Sequence, residues 1–206
     1  MNVKTIKEQF EEELVLFKKN VQLMVQDMFN QAGEIEPMLF ALIIPEDQNK
    51  LTIAVLGGIG PLFMNAEGKQ AAAAIMRKFN KEMKPVATAF ICEGWAKMVD
   101  KDAVTPYVNS EGQLVDPLME RPSEAKDKKE VLMFMFETFD REASVHYEIK
   151  RNEADPADVK LEKIMDLEWA SKKEGFVGGI MADLLTDNYD HFAQQMQRIN
   201  SKENLN

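Results

Sequence analysis

One cysteine, Cys92, and two histidines, His146 and His191, are the only thiol and imidazole groups in 206 residues. A lone thiol excludes an internal disulfide and fits a reducing compartment. With no cysteine pair and its histidines on separate segments, the chain has little from which to build a zinc site of the usual Cys/His kind. No metal and no cofactor are expected. Positive charge is also short: Lys plus Arg is 25 against 35 for Asp plus Glu, a formal net charge of −10. Nucleic-acid binding rests on neutralising phosphates, so no nucleic-acid partner is expected. The same deficit opposes adsorption to anionic membranes. Long apolar runs are absent. The longest, Met38 to Ile44, falls far short of the roughly 20 residues of a membrane span, and no membrane partner is expected. The first residues lead into charge and not into an apolar leader segment, so a cytoplasmic protein is expected.

What is present suits a folded domain. Apolar residues make up 45% of the chain, the ordinary globular share. One α+β domain over residues 1–200 is expected, with a long loop or arm at 100–129 and a frayed tail at 201–206. Val3, Phe10, Leu14, Phe17, Val21, Met24 and Met28 are spaced by threes, fours and one seven, which predicts a long N-terminal helix over 3–30. Leu16, Leu23, Val25 and Phe29 widen its apolar stripe, and Gly33 is a natural stop. Met38–Ile44 and Leu51–Leu56 read as two strands of a hairpin. Unbroken apolarity in the first implies cover on both of its faces. A second helix is predicted from about Glu67 to Met83 and a strand from Val86 to about Met98.

The clearest hairpin pairs Lys129–Phe139 with Glu142–Arg151 around Asp140-Arg141. An even-numbered loop places Leu132, Phe134 and Phe136 on one face with Ala143, Val145, Tyr147 and Ile149. The other face then carries Val131, Met133, Met135 and Glu137 with Ser144, His146, Glu148 and Lys150. Residues 159–170 suit either a strand or a helix, and the strand is preferred. A C-terminal helix is predicted from about Thr186 or Asp187 through Ile199. Hairpins dominate this order, which predicts a largely antiparallel sheet covered by helices.

Motifs that would name an activity are missing. Gly57, Gly58 and Gly60 follow a strand and precede a helix, as a phosphate cradle would. A dinucleotide fingerprint and a P-loop would each need glycine at 63, where Phe63 stands, and the P-loop also needs Ser or Thr at Gln70. Arg77, Lys81 and Lys84 share a helical face, with Lys78 beside them, and could meet an acidic partner or a phosphate. Gly57, Gly58, Gly60, Arg77 and Lys81 are therefore the candidate ligand-binding residues. Candidate catalytic residues are Glu137, His146 and Glu148, the best polar cluster that the hairpin register assembles; the alternative is a solvated or partner-facing sheet surface with ordinary charge pairing. Glu137 is expected near Ser144. Cys92, inside an apolar strand, reads as an inert small hydrophobe. Glu93 and Trp95 share a strand end, where a carboxylate beside an aromatic can acquire a raised pKa. Methionine is abundant, 14 in 206, which suits either irregular core gaps or an adaptable surface.

Absent catalytic motifs, a Phe- and Met-rich first helix and a semi-apolar 100–129 segment favour a non-catalytic interaction or assembly protein that pairs with itself or another protein. Two alternatives stand beside it. One is a small-ligand module with its pocket between the sheet and the 100–129 loop. The other is a hydrolase using carboxylates and His146.

Overall fold

A computed structural model describes residues 6–43, 52–97, 107–108, 114–115, 123, 125, 127–152, 154–172 and 184. A long helix, α1 (Ile6–Ala32), leads into a hairpin of β1 (Met38–Ile43) and β2 (Thr52–Leu56). A short 3-10 helix (Gly60–Met64) precedes α2 (Ala66–Met83) and β3 (Ala87–Ala96). Within the predicted arm, β4 (Tyr107–Val108) and β5 (Leu114–Val115) pair as a small antiparallel ladder. Three long strands close the described chain: β6 (Lys129–Thr138), β7 (Arg141–Asn152) and β8 (Asp155–Ser171). Six strands form one antiparallel sheet in the order β2-β1-β3-β6-β7-β8. The architecture is thus α+β with a long N-terminal helix. The predicted C-terminal helix and frayed tail, and most of the 100–129 arm, lie outside the described residues.

Local chemistry sets the helix ends. Gly33, at φ +75°, follows α1 in the left-handed region, and its N–H donates to Phe29 O at 2.7 Å. Asn65 caps α2, its Oδ1 accepting from Gly68 N at 2.8 Å. At the other end Lys84 takes the left-handed cap, φ 49°, with its N–H on Asn80 O. Pro85 cannot continue the helix. Lys84 is therefore a cap rather than a member of the basic stripe. Gly68 also permits a close approach: a Cβ there would stand 2.2 Å from Leu62 O. Gly68→Ala should gain about 1 kcal/mol of helix propensity yet destabilise the protein on balance. The clash is with backbone, so the 3-10 helix must shift, an overpacking cost of about 1–3 kcal/mol. Thermal melts of the two proteins check the sign.

Two apolar layers flank the sheet. On one face Phe10, Leu14, Phe17, Val21, Val25 and Phe29 of α1 meet Met38, Phe40, Leu42, Ala89, Ile91, Leu132, Phe134, Phe136, Val145 and Tyr147. On the other, Met76 and Phe79 of α2 join Leu39, Ile59, Phe90, Cys92 and Leu184. β1 is buried on both faces, as its sequence predicts. The α1 seam departs from expectation at its end: Val25 and Phe29 are buried, while Met24 and Met28 are each 41% exposed. A strict 3.5-residue repeat drifts round a straight helix by about 20° per heptad. Laid on a sheet rather than wound on a second helix, α1 turns the last members of that repeat out of the contact.

The β6–β7 hairpin keeps the predicted faces. Its register pairs Phe136 with Ala143, Phe134 with Val145 and Leu132 with Tyr147. The tight turn is Phe139-Asp140 and not Asp140-Arg141, because Thr138 Oγ1 accepts from Arg141 N at 2.9 Å and lies 3.0 Å from Asp140 Oδ1. That one-residue change slides the partners by two and leaves each side chain on its face. Residues 159–170 are strand. Pro156 stands at the start of this edge strand, where a missing N–H is tolerated.

Candidate functional site

The α2 face of β6, β7 and β8 carries the polar residues that the hairpin pattern singles out, and cross-strand register sorts them into three levels. At the turn end Glu137 lies opposite Thr88 of β3 and Glu142 of β7. Ser144 faces Met135 instead, so the expected neighbourhood of Glu137 and Ser144 is corrected: the shifted turn moves each partner by two residues. Glu137 is buried. Its Oε1 accepts from Lys172 Nζ at 2.6 Å and its Oε2 from Leu184 N at 3.0 Å. Asn80 of α2 donates to Leu184 O at 3.1 Å. Carboxylate and amide thereby fasten the chain at Leu184 between the sheet and α2.

The middle level holds Ser144 and His146. Ser144 Oγ and His146 Nε2 are hydrogen-bonded at 3.1 Å. Burial pushes the imidazole below its ordinary pKa. Directly opposite His146 stand Met133 on β6 and Met165 on β8. The far level holds Glu148, paired with Lys129 at 2.7 Å, and the ion pair of Lys150 with Glu162.

The three catalytic candidates therefore do not converge. Glu142, the partner of Glu137, is four residues from His146 on the same strand, about 13 Å along β7. Glu148 is next to His146 on this face but is held by Lys129. Among the described residues His146 is hydrogen-bonded to the Ser144 hydroxyl and to no carboxylate. Its lowered pKa has a consequence for folding. Between the folded value and the unfolded value near 6.5, the unfolded chain binds more protons than the folded one. Stability supplied by the neutral, buried ring is present above about pH 6.5 and is lost on acidification. The fall in melting temperature from about pH 7.5 to about pH 5.5 should shrink in His146→Gln.

The ligand-binding candidates are also dispersed. Gly57, Gly58 (φ +72°) and Gly60 follow β2. A Cβ at Gly60 would lie 3.2 Å from the Glu36 carboxyl, an acidic neighbour for any anion. Arg77 sits about 16 Å along α2 from its first residue, at 1.5 Å per residue, and Lys81 one turn further. Lys78, beside them, pairs with Glu82 at 3.9 Å.

Cys92 is buried, and burial pushes its thiol up to about 12, which fits the inert reading. Glu93 lies on the opposite face. Its Oε1 accepts from Ile35 N, and Arg151 stands 3.7 Å from its Oε2. Burial raises its pKa against those two contacts. The group ties the α1–β1 connection to the sheet. Trp95 is half exposed, with Lys128 Nζ 4.8 Å from its ring centroid.

Sequence reasoning passed over two features of this face. One is the tether at Glu137, which depends on Lys172 and Leu184, remote in sequence. The other is the set of methionine positions opposite and diagonal to His146, which needs residues 159–170 to be a strand in register. Among the described residues, no three His, Cys, Asp or Glu side chains gather as a metal site, and no helix is long and apolar enough to cross a membrane. Comparison of the chain with protein-family models, curated proteins and solved structures gave no match.

Proposed function

We propose that this is a non-catalytic assembly protein that pairs with a second copy of itself along β2. The observation that carries the reading is the contrast between the two margins of the sheet. β8 is a defended edge. It carries Lys160, Glu162, Lys163, Asp166 and Glu168, has Pro156 as its second residue, and its pairing with β7 is broken by register shifts. Charges, prolines and bulges of this kind block edge-to-edge association. β2 has none of them. Its sequence is Thr52-Ile53-Ala54-Val55-Leu56, without charge, and among the described residues no strand lies on the side away from β1.

Self-pairing suits this edge. Antiparallel alignment about Ala54 sets Thr52 against Leu56 and Ile53 against Val55 of the second copy, so all five residues find partners. Val55 is 50% exposed. Its register partner Phe40 places it on the α1 face. On α1, Lys18 and Gln22 reach β8 and β7, which leaves the exposed Met24 and Met28 on the flank towards β1 and β2. An apolar shoulder therefore runs beside the open edge. Two chains of net charge −10 repel one another over most of their surfaces, and an uncharged margin is where that repulsion is least. Light scattering on the eluting protein tests the reading: a dimer is expected. Thr52→Lys with Val55→Lys, one charge on each face of the edge, should give a folded monomer. A wild-type monomer, or a dimer that survives both lysines, contradicts it.

A further inference from the structure

We propose that Met133, Met135, His146 and Met165 form a binding site for a soft monovalent cation of the copper(I) type. Their placement follows from pairing alone. Met133, His146 and Met165 are direct cross-strand partners on β6, β7 and β8, and therefore share one face. Met135 is diagonal to His146, next to Met133 on the same face. Such partners have Cα atoms about 4.5–5.5 Å apart, within reach of flexible thioethers. All four side chains are half-buried, neither sealed in the core nor fully in water.

Donor chemistry selects the cation. Thioethers are soft and uncharged, and with imidazole they suit copper(I) over hard divalent ions, which prefer carboxylate and water oxygens. The nearest carboxylate on β7, Glu148, is engaged by Lys129. The histidine is prepared as a ligand. In the tautomer whose Nε2–H donates to the buried Ser144 Oγ, Nδ1 carries the lone pair that a metal needs; hydrogen bonds of this kind orient metal-binding histidines. The terminal methyl of Met133 lies over Gly94 of β3, and its three side-chain torsions allow the sulfur to turn towards β7. This site does not depend on the pairing proposed for β2.

The test is competition for copper(I), held anaerobically by a chromogenic chelator, using the full chain carrying Cys92→Ala. That background contains no thiol. One equivalent of copper(I) should leave the chelator. Ser144→Ala should weaken binding about tenfold, as loss of the hydrogen-bond partner of a metal-bound histidine does. His146→Leu, and the triple change of Met133, Met135 and Met165 to Leu, should weaken it more. Leucine is close to methionine in volume, so the triple variant tests the site even if the histidine variant folds poorly. In spectra of methyl-labelled methionine, the resonances of these three residues should shift on addition of silver(I). Zinc(II) should neither compete nor shift them. Failure of the Cys92→Ala chain to withdraw copper(I), or withdrawal unchanged in the triple variant, overturns the proposal.

Discussion

Phe136→Ala is expected to destabilise the protein by about 3–5 kcal/mol, the range for deleting a fully buried aromatic ring. Phe136 joins three elements. Its ring meets Phe17 of α1 edge-on at 6.2 Å and Trp169 of β8 at 6.2 Å, and stacks with Phe134 at 6.3 Å. A cavity here lies between packed elements on two sides and cannot collapse by moving one loop. Phe136→Leu should recover much of the loss by refilling volume. Urea denaturation followed by circular dichroism reads both. A loss below about 1 kcal/mol for the alanine variant would mean that α1 is not seated on β6 as described, since surface changes rarely exceed about half that.

Glu137→Ala is expected to cost about as much, about 3–5 kcal/mol, for a different reason. Truncation leaves the Lys172 ammonium, 20% exposed and 2.6 Å from Glu137 Oε1, without that carboxylate, and removes the acceptor of Leu184 N–H. The cost comes from depriving a partly buried charge of this carboxylate rather than from the worth of the pair itself. Glu137→Met combined with Lys172→Met should therefore be markedly more stable than Glu137→Ala alone. If the single change is mild and the double change is worse, Glu137 is not the tether that the geometry describes.

Much of the fold is legible in the residues because its signals are local. Gly33 and Pro85 mark helix ends through their own backbone chemistry, whereas the Asn65 and Lys84 caps emerge only in the structure. Alternation in 131–137 and 143–149 assigns every side chain of the hairpin to the correct face, even with the turn misplaced by one residue. Methionines 24 and 28 misled because a heptad and a 3.6-residue stripe diverge only after two or three turns, and the surface that α1 lies on decides between them. The site was less legible for a physical reason. Glu137, His146 and Glu148 do share a face, as alternation says, but position along the strand decides what they can do together. That position depends on the turn register. The Lys172 and Leu184 partners of Glu137, and Met165 beside His146, come from segments whose pairing no local pattern announces.

The open β2 edge is the centre of the functional account, and a cross-link tests it most directly. Pairing about Ala54 sets the two copies of this residue opposite each other, about 4.5–5.5 Å apart at Cα, which suits a disulfide. In a chain carrying Cys92→Ala, Ala54→Cys is the only thiol. Mild oxidation should convert that protein to a covalent dimer much faster than a matching Lys78→Cys protein, whose thiol is exposed on α2. Equal, slow cross-linking of the two proteins would contradict pairing through β2.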